Sequence, residues 1–166
     1  VIVDINLDVQ KQNNHIQSNK IVDYSVNLSG FESAIKSIGD ECKEDILVLI
    51  ETTVPPGTTN LAKKIIQDCL RHRNLNPDKI KIGHSYERVM PGPNYIDSIQ
   101  NFYRVYSGVN DHSADYVETF LKTIIRVDEY PLTRLKSTNA TEMSKVLENS
   151  FRAMNIAFIV EWSRYA

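Results

Sequence analysis

Asp45-Ile46-Leu47-Val48-Leu49-Ile50-Glu51-Thr52-Thr53-Val54-Pro55-Pro56-Gly57-Thr58-Thr59-Asn60 is the stretch on which the fold of this chain turns. Its first half, Asp45–Thr52, carries a continuous aliphatic run, the pattern of a strand covered on both faces of its sheet. Two prolines then end the strand, because proline has no N–H for a ladder. Thr59 or Asn60 can cap a following helix over Leu61–Arg73. Buried strand, stiff turn and helix in that order make the repeating unit of a parallel α/β sheet.

The flanking segments continue the alternation. On the N-terminal side, Val1–Ile5 is an apolar run of β type, and Val9–Ser29 is mostly polar and expected to form an exposed loop. Phe31–Cys42 has helical spacing through Phe31, Ala34, Ile35 and Ile38. On the C-terminal side, Lys79–Gly83 reads as a strand and Ser85–Asn94 as an irregular loop punctuated by Pro91-Gly92-Pro93. Tyr103–Val109 reads as a strand, His112–Ile125 as a helix and Arg126–Tyr130 as a last short strand. From about Lys136 a long helix runs to the last residues, with Asn139 and Glu142 spaced as a capping box. The chain reads as a piece of something larger.

Composition narrows the class. The 166 residues are 42% hydrophobic and 24% charged, as in ordinary globular proteins. A net charge of -2 and a pI near 6.1 supply no field for nucleic acid or anionic lipid, so neither nucleic acid nor membrane is expected as a partner. The longest apolar runs, Ile46–Ile50 and Ile156–Val160, are too short to span a bilayer, and a cytoplasmic setting is the default expectation. Cys42 and Cys69 both fall in expected helices, fit no metal-ligand spacing and read as small hydrophobes. His15, His72 and His112 read as surface residues, and no metal site is expected. His84 lies at a strand end beside a candidate loop.

In open α/β sheets ligands bind beyond the carboxyl ends of the strands. Two segments fall there: Thr52-Thr53-Val54-Pro55, whose hydroxyls can meet a cofactor or a water, and Ser85-Tyr86-Glu87-Arg88, where a carboxylate could act as acid or base beside a cation. Each has a plain structural alternative, a Thr-Pro turn and a solvated loop pair. On the long helix, Met143, Val146, Leu147, Phe151, Met154, Ala157 and Phe158 gather on one broad face. Glu142, Lys145, Asn149 and Arg152 gather nearly opposite, which by periodicity alone is the wet side of an amphipathic helix.

Taken in order, three blocks resemble the UDP-glucose/GDP-mannose dehydrogenase family, the nucleotide-sugar 6-dehydrogenases. They are Glu51-Thr52-Thr53-Val54-Pro55-Pro56-Gly57-Thr58-Thr59, Tyr86-Glu87-Arg88-Val89-Met90-Pro91-Gly92, and Asn139-Ala140-Thr141-Glu142-Met143-Ser144-Lys145 through Asn149 to Phe151-Arg152-Ala153. The blocks look most similar to the branch that oxidises UDP-N-acetyl-hexosamines. The resemblance implies an α/β fold: a partial Rossmann-like parallel sheet over residues 1–133, then the start of a long central helix over 134–166 through which the family dimerises. It implies NAD as cofactor, a UDP-sugar as substrate, a homodimer, and a place in the synthesis of a surface polysaccharide precursor. The implied reaction oxidises the C6 alcohol twice, through a cysteine thioester, to a uronic acid.

Carried over residue by residue, the resemblance implies that Thr53 holds an active-site water beside the nicotinamide, with Thr52 and Val54 as cofactor contacts. Glu87 corresponds to the acid/base of thioester hydrolysis, and Lys145 and Asn149 to the groups that stabilise oxyanions. Arg88 and Val89 join Glu87, Lys145 and Asn149 on the substrate side. Three departures stand beside the match. The sequence holds no Gly-x-Gly-x-x-Gly turn for a pyrophosphate. Asp4-Ile5-Asn6 replaces the family's Pro-Thr-Pro, and neither Cys42 nor Cys69 corresponds to the catalytic thiol. The chain by itself is therefore expected to lack dehydrogenase activity, and its open sheet edge and uncovered helix face to make it prone to associate. Two rival readings are a non-catalytic nucleotide-binding or dimerisation module of the same fold and a hydroxyacid dehydrogenase of the 6-phosphogluconate type.

Overall fold

The computed structural model describes residues 1–11, 24–89 and 92–166. Its main sheet has five strands in the order β1-β4-β5-β6-β7, and a separate two-stranded ribbon pairs β2 with β3. Strand β1 (Ile2–Val3) lies parallel to β4 (Leu47–Ile50), and β4 lies parallel to β5 (Lys81–His84). Strand β6 (Val105–Gly108) runs antiparallel to β5, with Gly83 opposite Gly108. Strand β7 (Thr133–Arg134) is parallel to β6. The sheet is thus mostly parallel, with one reversed step where the chain returns from β5 to β6.

Side chains alternate across this sheet as the pleat requires. Val48, Ile50 and Ile82 point toward α1 (Ser29–Glu41) and α2 (Thr58–His72), joining Phe31, Ile35, Ala62, Ile66 and Leu70 in the larger core. Leu49 and Tyr106 point the other way, onto Ala114, Val117 and Leu121 of α4 (Asp111–Leu121). Both faces of β4 are therefore covered, which is why Ile46–Ile50 reads as uninterrupted aliphatic sequence. Gly83 makes the second layer possible. A Cβ there would collide with Val117 and come within 2.6 Å of the Ser107 carbonyl, so only glycine lets α4 press onto β5 at that point.

Several sequence expectations are corrected. Part of Val9–Ser29 is β structure: β2 (Asp8–Lys11) and β3 (Tyr24–Asn27) form an antiparallel ribbon of four-residue strands, too short and mixed in sequence to show a hydrophobic period. Residues 12–23 of that stretch, His15 included, lie outside the described residues. Helix α2 begins at Thr58, not Leu61, and neither Thr59 nor Asn60 caps it. Its N-cap is Gly57, at a φ of 99°, a left-handed conformation open to glycine, and Gly57 offers no side-chain cap. The expected strand over Arg126–Tyr130 is a series of turns, and the last strand is Thr133–Arg134 instead. A short helix, α3 (Tyr95–Gln100), follows the loop after β5, where no element was expected. Met90 and Pro91 of that loop lie outside the described residues.

The long helix is α5 (Thr138–Tyr165), 28 residues. Ser137 is its N-cap, its hydroxyl accepting from the Ala140 N–H at 3.2 Å. The expected Asn139–Glu142 capping box does not form, because the Glu142 carboxylate is spent on another helix. The wet and dry sides are also reversed over its first two turns. Thr141, Glu142 and Lys145 are buried against the sheet, while Met143, Leu147, Phe151, Met154 and Phe158 are exposed. From Asn149 onward every residue is exposed and the helix stands away from the sheet. No helix among the described residues is long and apolar enough to cross a membrane.

Candidate active site

The candidate residues meet where the carboxyl ends of β1, β4 and β5 face the start of α5. The turn after β4 divides its residues by role. Thr52 is buried and its hydroxyl accepts from the Ile5 N–H at 2.8 Å while facing the Val3 carbonyl at 3.3 Å, so it stitches β1 to β4. Val54 is buried in the larger core and anchors the turn. Thr53, between them, is exposed. This turn forms one wall of a cleft of about 680 Å³, completed by Ile5, Leu7, Val26, Pro55, Pro56 and, from α5, Val146.

A smaller cleft of about 310 Å³ adjoins it, sharing Asp4, and is lined by Glu51, Glu87, Val89, Tyr95, Ile99 and Arg104. Arg104 and Glu51 form a buried ion pair at 2.8 Å across the ends of β4 and β6. Burial pushes the Glu51 carboxyl up from its ordinary range; Arg104 opposes this, and the neighbouring Glu87 and Asp4 charges add to it. The sequence carried no local signal for this pair, since 53 residues separate its members.

Glu87 and Lys145 lie together. The buried Lys145 ammonium donates to the Glu87 carbonyl at 3.0 Å and sits over the Tyr86 ring, 5.0 Å from its centre. The Glu87 carboxylate turns back to accept from the Val89 N–H, which holds the loop closed on itself. Arg88 leaves the cleft and pairs with Glu148 of α5 at 3.0 Å, so the loop and helix are tied a second time. Asn149 lies one turn beyond Lys145 on the same side of α5 and is exposed. The structure thus joins Lys145 to the Glu87 loop and sets Glu87 and Val89 in a cleft that adjoins the one walled by Thr53, whereas Asn149 is exposed and lines neither cleft. Thr52, Val54 and Arg88 are positioned to hold the turn and the loop that form these walls.

His84, at the end of β5, is fully buried under this region. Its Nε2 is 3.4 Å from the Thr52 carbonyl, and its Nδ1 is buried without a partner. Burial pushes its pKa down to about 4, with the Lys145 charge acting the same way and the Thr52 carbonyl opposing, so the ring is neutral near pH 7. Among the described residues no group of three His, Cys, Asp or Glu side chains could hold a metal ion.

A mostly parallel strand–helix sheet with a cleft at its carboxyl edge, walled by a Thr-Val-Pro-Pro turn and followed by a long helix, has the form of a Rossmann-type fold. The sequence model of the "UDP-glucose/GDP-mannose dehydrogenase family, NAD binding domain" matches residues 15–126, and this chain belongs to that family. Its cofactor is NAD. The chain is 33% identical over 141 residues to the UDP-N-acetyl-D-mannosamine dehydrogenase of Pyrococcus horikoshii, covering 84% of this chain and 32% of that protein. To the enzyme of the same name from Campylobacter jejuni it is 34% identical over 142 residues, covering 82% of this chain and 34% of the relative. Among solved structures, UDP-D-ManNAc dehydrogenase from Pyrococcus horikoshii superposes with a TM-score of 0.69 at 30% identity, over 80% of this chain and 30% of that one. GDP-mannose dehydrogenase from Pseudomonas aeruginosa shares the fold, at a TM-score of 0.69 and 20% identity over 95% of this chain and 33% of that one. The chain thus spans about a third of the length of these relatives.

The residues present fit one part of NAD. The larger cleft is lined mainly by aliphatic and proline side chains, with Asp4 its one charged residue and Thr53 exposed at its wall, which suits a flat ring and its ribose. A pyrophosphate is not matched there. The N-terminus of α2, the natural anion seat beyond β4, is already filled by the Glu142 carboxylate.

Proposed function

We propose that this chain is part of an NAD-dependent dehydrogenase that oxidises C6 of a UDP-sugar from alcohol to uronic acid in two steps, with a UDP-N-acetyl-hexosamine as the substrate class. The observation that carries this reading is the buried Lys145 ammonium, seated on the Glu87 loop beside the cleft of the Thr53 turn. An ammonium has three donors, and one is spent on the Glu87 carbonyl. The others can meet an oxygen that becomes negative as the sugar reacts, a task for which one preorganised donor contributes about 3 kcal/mol. Asn149, one turn further along α5, adds a neutral donor.

NAD, when bound, takes up a hydride at each oxidation. Thr53 holds a water at the cleft wall, and the Glu87 carboxylate takes a proton from that water when the acyl intermediate is hydrolysed. Arg88 and Val89 keep the loop in register through Glu148 and the Glu87 carboxylate. The thiol of this chemistry is neither Cys42 nor Cys69. Cys42 ends α1, Cys69 is buried in α2, and burial pushes both thiols up, away from the reactive thiolate. These 166 residues alone, without a Gly-x-Gly-x-x-Gly turn or a reactive thiol, do not turn the substrate over. Residues 1–133 serve as the cofactor half and 134–166 begin the unit through which two copies associate.

In an enzyme restored to the length of the relatives, Lys145→Ala lowers kcat by about 100-fold with little change in fold. Near-normal turnover of a UDP-sugar by that variant would remove Lys145 from the chemistry.

A further inference from the structure

The start of α2 has an unusual partner. Gly57 gives it no side-chain cap, yet Thr58 and Thr59 of its first turn are buried, so the N–H groups without an intrahelical acceptor need one from elsewhere. Glu142 supplies them from α5. One carboxylate oxygen accepts from the Gly57 N–H at 2.6 Å; the other accepts from the Thr59 N–H at 2.7 Å and from the Thr59 hydroxyl at 2.6 Å. The carboxylate is fully buried. Among the described residues no cation forms an ion pair with it, so the positive end of α2 and three donors balance its charge.

This cap from a distance joins two parts of the candidate site. Gly57 closes the turn that begins at Thr53. Lys145 lies three residues after Glu142, on the same side of α5. Thr141 adds a bond to Ser107 of β6 at 2.8 Å, and Ser144 faces the Tyr86 hydroxyl at 3.4 Å. These contacts set how α5 lies on the sheet, and among the described residues Glu142 alone on α5 forms hydrogen bonds to the end of the Thr53 turn. We propose that Glu142 is a positioning residue: by capping α2 from α5 it fixes the height at which Lys145 stands over the Glu87 loop and against the Thr53 turn. The catalytic meaning of this rests on the dehydrogenase reading above; the geometry does not.

The test uses the 166-residue chain and needs no turnover. In wild type, the Tyr86 ring shifts the Lys145 ε-methylene protons upfield, and the Gly57 and Thr59 amides are protected from hydrogen exchange. Glu142→Gln is expected to unfold cooperatively, to speed exchange of both amides by about tenfold or more, and to move the Lys145 signals toward their unshifted position. If the amides loosen while the Lys145 signals stay, Glu142 is a local cap and the proposal is overturned. If Glu142→Gln does not fold, Thr59→Val decides, since it deletes one donor and keeps the carboxylate. A Lys145 shift in the same direction supports the proposal, and an unmoved Lys145 overturns it. In the restored enzyme, kcat of Glu142→Gln should fall more than KM rises, because a misplacement of about 1 Å costs on the order of 100-fold in rate. Unchanged turnover with a displaced Lys145 keeps the positioning role and counts against the dehydrogenase reading.

Discussion

His84 is the residue whose behaviour should be most visible in solution. Its ordinary pKa of 6.5 falls to about 4 in the fold, chiefly through burial. Between those values the unfolded chain holds more protons than the folded one, so stability rises with pH across the window. Above about pH 6.5 the neutral ring costs nothing; as pH falls toward 4 the fold loses up to about 3 kcal/mol, and below that the loss levels off. Urea unfolding at pH 7, 5.5 and 4.5 should trace this slope, and His84→Gln should flatten it. Arg104 and Glu51 belong to the same scale. Removing one partner leaves a buried charge, so Arg104→Leu should cost about 3–5 kcal/mol in urea unfolding, whereas replacing both by apolar residues should cost far less. Equal losses in the single and double variants would show that the pair is not a desolvated one.

Among the elements, β5 and α5 carry the constraints. Gly83 sits where α4 crosses β5, and an added methyl meets Val117 and the Ser107 carbonyl. Gly83→Ala should therefore cost about 2 kcal/mol or more, as overpacking does. Gly30→Ala in the first turn of α1 meets nothing within 4 Å and serves as the control, with no loss of stability expected. Helix α5 also explains why periodicity misled. Its polar stripe is real, but Thr141, Glu142 and Lys145 find partners on α2, β6 and the Glu87 loop, so polarity there marks a satisfied buried contact instead of solvent. A hydrophobic-moment argument counts residue types and has no knowledge of such distant partners.

The molecule as a whole leaves an apolar face uncovered. Leu147, Phe151, Met154 and Phe158 are each 60–70% exposed along α5. We propose that this face seats a second copy of the chain, the association proposed above for residues 134–166. Phe151→Glu together with Met154→Glu should weaken self-association by about tenfold or more in sedimentation experiments while leaving the melting curve in place, since both side chains are exposed. A wild-type chain that stays monomeric at high concentration would contradict the expectation.

Much of this architecture was legible before any coordinates. The aliphatic run of Asp45–Thr52, the prolines after it and the 3.6-residue spacing around Phe31 and Ile35 act through nearest neighbours, so they can be read in line. The three ordered blocks singled out Thr53, Glu87 and Lys145 as candidates, and the fold joins the last two by a hydrogen bond. The reversed direction of β6, the pairing of Arg104 with Glu51, the burial of His84 and the reach of Glu142 to the first turn of α2 could not be read that way. Each depends on groups separated by more than 20 residues in the chain, which only the closing of the sheet and the docking of α5 bring within hydrogen-bonding distance. Local pattern selects elements because its energies are local; a shared site needs distant donors and acceptors, and those meet only when the tertiary fold buries them together.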